Sequence, residues 1–141
     1  MRTLLALALV ASAVAAPVPK AVKKQDDAAL LEGRWVGVTT DTGGGPNPDP
    51  ERWLEITDGK FSTGIGSTRG YDGRTLRLDP SASPKHLDVN NTRGGFHLGI
   101  YELDGDTLRW CESSSATTRP TEIKAANGFN VLVYKRVKSK E

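Results

Sequence analysis

From Gly33 onward, apolar and polar residues alternate in short runs, each closed by a turn signal. Leu54 and Ile56, Leu76 and Leu78, and Leu108 and Trp110 each stand two residues apart. That period marks half-buried strands. Asp-Gly at 58–59, 72–73 and 104–105 and Asn-Gly at 127–128 are strong hairpin signals. Pro-, Ser- and Gly-rich breaks fall at 42–50, 80–84, 91–95 and 113–120. The strands predicted between them are 33–40, 51–57, 60–65, 74–79, 86–90, 95–103, 106–112, 121–125 and 129–137. One short helix precedes them: Asp26 or Asp27 can cap it, 28–32 (AALLE) favours it, and Gly33 suits its left-handed end. The connections are too short for parallel crossovers. The pattern therefore predicts an all-β antiparallel meander. A meander of roughly 8–9 strands closes most readily into a small barrel, which removes exposed edges; a two-sheet sandwich is the alternative.

The run 96–111 offers two registers, because its turn can hold two residues or three. A two-residue Asp104-Gly105 turn pairs Leu103 with Asp106 and puts Arg109 on the face of Ile100. A three-residue loop, 103–105 with Gly105 as a bulge, pairs Glu102 with Asp106. It gathers Phe96, Leu98, Ile100, Leu108 and Trp110 on one apolar face and leaves His97, Tyr101, Thr107 and Arg109 on the other. The second register buries more apolar surface and is the one expected. It places the carboxylates of Glu102, Asp104 and Asp106 at a solvated tip. Three carboxylates at one tip fall short of the six to eight oxygens that calcium takes.

The chain has 141 residues, enough for one domain. Its start reads differently: Met1-Arg2, the apolar run 3–14 and the small residues 13–16 have the layout of a secretory signal peptide, with cleavage after Ala15. The run is shorter than the ~20 apolar residues a membrane span needs. Residues 1–15 are thus expected to be a signal peptide, 16–26 a flexible segment and 27–138 the folded domain. The exported form would be secreted or periplasmic, with no membrane span left. Net charge is only +2. Lysines cluster at the ends (Lys20, Lys23, Lys24; Lys135, Lys138, Lys140, with Arg136), and no basic stripe interleaved with aromatics stands out, which argues against nucleic acid. The single Cys111 excludes an internal disulfide and reads as a small buried hydrophobe.

Candidate chemistry is sparse. Asp41-Thr42-Gly43 spells the triplet of aspartic proteases, but it runs into a Gly/Pro-rich loop after polar Thr39-Thr40. The glycines at 64, 66 and 70 lack the spacing and helix of a phosphate-binding turn. His86, His97 and Cys111 have no zinc-site spacing. No serine lies in a nucleophile elbow. No catalytic residue, metal or cofactor is expected.

Gly33-Arg34-Trp35 at the start of such a barrel resembles the G-x-W signature of lipocalins. That resemblance implies that Trp35 plugs the closed end and that a basic side chain of the last strand covers it. Lys135 and Arg136 are placed for this, and Arg136 is preferred because guanidinium stacks on indole. A wider set runs from Leu31-x-Gly33-x-Trp35 through Pro84-Lys85-x-x-Asp88 and Gly99-Ile-Tyr101-x-Leu-x-Gly-Asp106-x-Leu108-x-x-Cys111 to Arg119-Pro120-Thr-Glu-Ile and Lys135-Arg136. It resembles a planctomycete family of exported domains of unknown function, similar in length to 27–138. The resemblance implies a lipocalin-like barrel and bacterial export, and no activity. Trp110 and Ile123 depart from that family's pattern.

The expected function is an exported, non-catalytic binding module. A small apolar ligand would sit in an interior lined by Trp35, Leu54, Ile56, Leu76, Leu78, Phe96, Leu98, Ile100, Leu108 and Trp110. The alternative is a filled barrel acting through its surface on a protein of the cell envelope, with the loops 42–50 and 113–120 as contacts.

Overall fold

A computed structural model describes residues 26–138. The expected signal peptide (1–15) and all of the segment 16–26 except Asp26 lie outside the described residues. The elements are α1 (Asp27–Leu31), β1 (Gly33–Asp41), β2 (Asn47–Pro48), β3 (Arg52–Thr57), β4 (Lys60–Ile65), β5 (Thr68–Asp79), β6 (Lys85–Asn90), β7 (Phe96–His97), β8 (Gly99–Asp104), β9 (Thr107–Ser113) and β10 (Phe129–Arg136). β1, β3, β4, β5, β6, β8, β9 and β10 each pair antiparallel with the next, and β10 pairs back onto β1 (Trp35 opposite Arg136, Val36 opposite Lys135). The result is a closed eight-stranded antiparallel barrel, with the short β2 and β7 attached to β1 and β6. The sandwich alternative is excluded.

Local chemistry explains the hairpins. Thr57 pairs with Lys60 across Asp58 (φ +51) and Gly59 (φ +70), two left-handed residues as a type I′ turn requires. Asp72-Gly73 makes no hairpin. The β4–β5 ladder shifts register there, and the Ser62 hydroxyl accepts the Gly73 N–H, so β5 runs on as one bulged strand. Asn127-Gly128 makes a tight turn between Ala126 and Phe129. The strand expected at 121–125 is absent. That segment belongs to the loop 114–128, laid along the outer wall.

The 96–111 hairpin takes neither expected register. Asp104 pairs with Thr107, Glu102 with Arg109 and Tyr101 with Trp110. Its turn is Gly105-Asp106, with Gly105 (φ +54) at the first position, as in a type II′ hairpin. Tyr101 and Leu103 therefore face inward with Leu108 and Trp110, while Ile100, Glu102, Arg109 and Cys111 face outward. Two contacts fix this. The Tyr101 hydroxyl donates to buried Asp27 at 2.6 Å, and Arg109 reaches Glu102 at 2.8 Å on the outer wall.

The barrel has two buried clusters. The inner one contains Leu31, Trp35, Leu54, Ile56, Phe61, Leu87, Val89, Tyr101, Leu108, Trp110, Leu132 and Tyr134. The outer one, Ile100, Cys111 and Val131, is covered by Ile123, Ala125, Phe129 and Val133. One end of the barrel is closed by α1. Trp35 donates its indole N–H to the Leu31 carbonyl, 3.0 Å away. Arg136, not Lys135, covers the Trp35 ring at 4.2 Å and donates to the carbonyls of Glu32 and Leu30. The Asp26 side chain caps α1 by accepting the Ala28 N–H. Gly33 follows at φ +116, a conformation other residues rarely adopt.

Candidate binding site

The strand alternation fills the lower barrel and leaves the end opposite Trp35 open. Leu54, Ile56, Phe61, Leu87 and Leu108 fill the interior near the plug. Above them the inward positions become polar. On β3 the position two before Leu54 is Arg52, and on β9 the one two after Trp110 is Glu112. On β4, Thr63 follows Phe61 by two. The mouth holds a cavity of about 370 Å3. Its apolar wall is Tyr71, Trp110, Leu132 and Tyr134, and its polar wall is Arg52, Thr63, Thr68 and Glu112.

Each wall is held in place. Trp110 donates its indole N–H to the Leu87 carbonyl and packs against Phe61 edge-on, ring centroids 5.3 Å apart. The ring lies over Gly99, where a Cβ would overlap Trp110 Nε1 and the Leu87 carbonyl oxygen. Tyr71 stacks on His97 at 6.1 Å. The Thr63 hydroxyl donates to the Trp53 carbonyl and contacts the Tyr134 hydroxyl. Burial pushes the Tyr134 and Tyr71 phenols upward, so both are neutral donors.

Two carboxylates at the mouth behave oppositely. Asp49 accepts from Thr40 and from Arg52, both at 2.6 Å. Burial alone would raise its pKa, but these bonds outweigh burial and hold the carboxyl below its ordinary value. Glu112 is pushed up by burial, and the fields of His97 and Arg52 and a hydrogen bond with Asn130 offset this only in part.

The expected interior is partly displaced. Trp35, Leu54, Ile56, Leu108 and Trp110 are buried in the inner cluster, and Leu76 and Leu78 pack against it. Phe96, Leu98 and Ile100 are corrected. Phe96 lies on the outer wall under the Arg77 guanidinium, 4.1 Å from its ring. Leu98 belongs to neither cluster, and Ile100 is outside under the loop. The hairpin register moves them, since Gly99 and Tyr101 take the inward positions. Of the ten expected residues, Trp110 alone lines the cavity. Arg52 and Glu112 went unrecognised although each is in phase with an inward pair.

Asp88 on β6 faces outward yet is almost fully buried. It accepts from Arg77 (2.8 Å), Arg119 (2.5 and 2.9 Å) and the Gly99 N–H (3.1 Å). Burial would raise its carboxyl; the bonds from Arg119, Arg77 and Gly99 more than offset this and hold it low. Arg119 also donates to the Gly99 carbonyl at 2.7 Å, so one side chain ties the 114–128 loop to the wall.

Glu102, Asp104 and Asp106 sit at an exposed tip, with Glu102 paired to Arg109 and Asp106 to Lys138 and Arg136. Among the described residues, no group of three or more His, Cys, Asp or Glu is placed to hold a metal ion, and no helix is long and apolar enough to cross a membrane. No protein-family model, curated protein or solved structure matches this chain.

Proposed function

We propose that this protein is a non-catalytic binding module that holds one small molecule at the open end of its barrel. The observation that carries this reading is the cavity of about 370 Å3, set above a packed floor and walled by aromatic rings on one side and polar groups on the other. Small-molecule sites are concave, mostly apolar and furnished with a few fixed polar groups. The lining favours an amphipathic occupant over the purely apolar one expected from sequence. An aromatic or aliphatic group fits against Tyr71, Trp110 and Leu132, with a polar end toward Arg52, Thr68 and Glu112. The signal-peptide layout of 1–15 and the likeness to exported planctomycete domains support a secreted or periplasmic setting.

Native mass spectrometry of the purified protein, incubated with a library of small amphipathic fragments, tests this. One-to-one adducts are expected, and Thr68→Trp, which lays a ring over the mouth from an exposed position, should abolish them without lowering Tm. Absence of any adduct refutes the reading. Adducts that survive Thr68→Trp place binding elsewhere.

A second reading rests on the outer wall. Trp53 lies between the guanidinium groups of Arg34 (5.9 Å) and Arg69 (5.6 Å), beside exposed Val36 and Val38. Such a face suits a protein contact, and it supports a surface-acting module of the cell envelope.

A further inference from the structure

We infer that the occupant of the open-end cavity is a small organic cation, an amine whose ammonium group pairs with Glu112 while its apolar part lies against Trp110 and Tyr71. This rests on the cavity being a binding site and adds the chemistry of what fills it.

Arg52 and Glu112 are the cavity's charged residues. The guanidinium of Arg52 is engaged, because its Nε donates to Asp49 at 2.6 Å. Glu112 has no cation at ion-pair distance among the described residues; Arg52 and His97 act on it only through their fields, and Asn130 hydrogen-bonds it. It faces Asn130 on β10 and Gly99 on β8, one a neutral amide and the other without a side chain. Among the described residues no ion pair within 4.0 Å includes it. Glu112 is partly buried, and burial outweighs the fields of His97 and Arg52 and holds this carboxyl toward its neutral form. An incoming ammonium supplies the missing charge. An anion would meet that carboxylate and an arginine already paired.

The aromatic wall points the same way. Trp110 stands two residues before Glu112 on the same inward face, so an ammonium at the carboxylate lies near an indole. Tyr71 adds a second ring across the cavity. Rings attract cations through their negative faces, most strongly where water is excluded. A cavity of about 370 Å3 is near the small end of ligand sites, so the cation is compact.

Titration follows from these neighbours. Glu112 must ionise to pair, so affinity falls as pH drops through its raised pKa. The other ionisable groups that interact with it are Arg52 on β3, Tyr71 on β5, His97 on β7, Cys111 next to it on β9 and Tyr134 on β10. Glu112→Gln isolates the carboxylate's share of that pH dependence, which should vanish in the variant.

The test is calorimetry at pH 8 with phenethylammonium, benzyltrimethylammonium, phenethyl alcohol and phenylpropionate, on the native protein and on Glu112→Gln. At least one cation should bind, about tenfold or more tighter than the alcohol, with phenylpropionate silent and Glu112→Gln losing that margin. Tighter binding of the alcohol or the acid overturns the cation assignment and leaves the cavity a binding site. Unchanged cation affinity in Glu112→Gln overturns the role of Glu112. If neither cation binds while fragments form adducts blocked by Thr68→Trp, the cation inference alone fails. If no fragment forms an adduct either, the underlying reading fails with it.

Discussion

Arg119→Ala should release the 114–128 loop from the barrel wall. The substitution removes two hydrogen bonds to Asp88 and one to the Gly99 carbonyl. Hydrogen bonds involving a charged partner contribute about 1.5–3 kcal/mol each when lost singly, and they do not add in full. Asp88 would keep Arg77 and the Gly99 N–H, so its carboxylate is not stranded. A cost of about 2–3 kcal/mol follows, well below the sum of three. With a urea slope of about 1–1.5 kcal/mol/M for a domain of this size, the midpoint falls by about 2 M. A second readout is the Cys111 thiol, wholly buried under the loop with its Sγ 3.7 Å from the Lys124 carbonyl and pushed toward the protonated form by burial. Native protein should react slowly with an aromatic disulfide, and Arg119→Ala should react at least about tenfold faster, because local opening exposes the thiol. A variant with native urea midpoint and native thiol protection would show that Ile123 and Phe129 alone hold the loop, and the clamp would be refuted.

Asp88, held below the ordinary carboxylate range, stabilises the fold above the unfolded carboxylate pKa of about 3.9 and loses that contribution as pH falls through its folded value. Asp88→Asn should therefore cost stability at neutral pH and flatten the acid limb of an unfolding titration. Arg136→Ala removes the Trp35 cation–π contact and the bonds to the carbonyls of Leu30 in α1 and Glu32 just beyond it, so chemical denaturation should show a loss of about 3 kcal/mol. Gly99→Ala forces a Cβ onto Trp110 Nε1 and the Leu87 and Cys111 carbonyls, where backbone cannot yield; Tm should drop by the equivalent of about 2–3 kcal/mol. Glu112→Gln should stabilise the free protein at pH 8 and lose that advantage near pH 4. A raised acid stabilises the fold only below its unfolded pKa, and that contribution disappears as pH rises through the folded value.

The barrel was legible because turn residues and period-two alternation agree along most of the chain, as at Asp58-Gly59 and in Leu54/Ile56 and Leu108/Trp110. The 96–111 hairpin misled because its apolar residues are sorted by partners far away in sequence. Tyr101 turns inward to reach Asp27, and Ile100 stays buried outside because Ile123 and Ala125 cover it. A local maximum of apolar surface cannot register a covering loop. Asp88 has the same cause, a charge buried on an outer wall by an arginine from residue 119. The site carried a signal that went unread. Arg52 and Glu112 each extend an inward alternation by one polar step, and polar residues in phase with a core mark the level at which a barrel opens.

Binding at the mouth, above a packed floor, can be located residue by residue. Amide and indole N–H shifts of isotope-labelled protein, recorded during titration with an amphipathic fragment that forms an adduct, test it most directly. Saturable shifts are expected at Thr63, Gly64, Gly70, Tyr71 and the Trp110 indole, with the Trp35 indole at the closed end unmoved. Shifts centred on Trp35 or on the outer face around Trp53, with Trp110 silent, would contradict it.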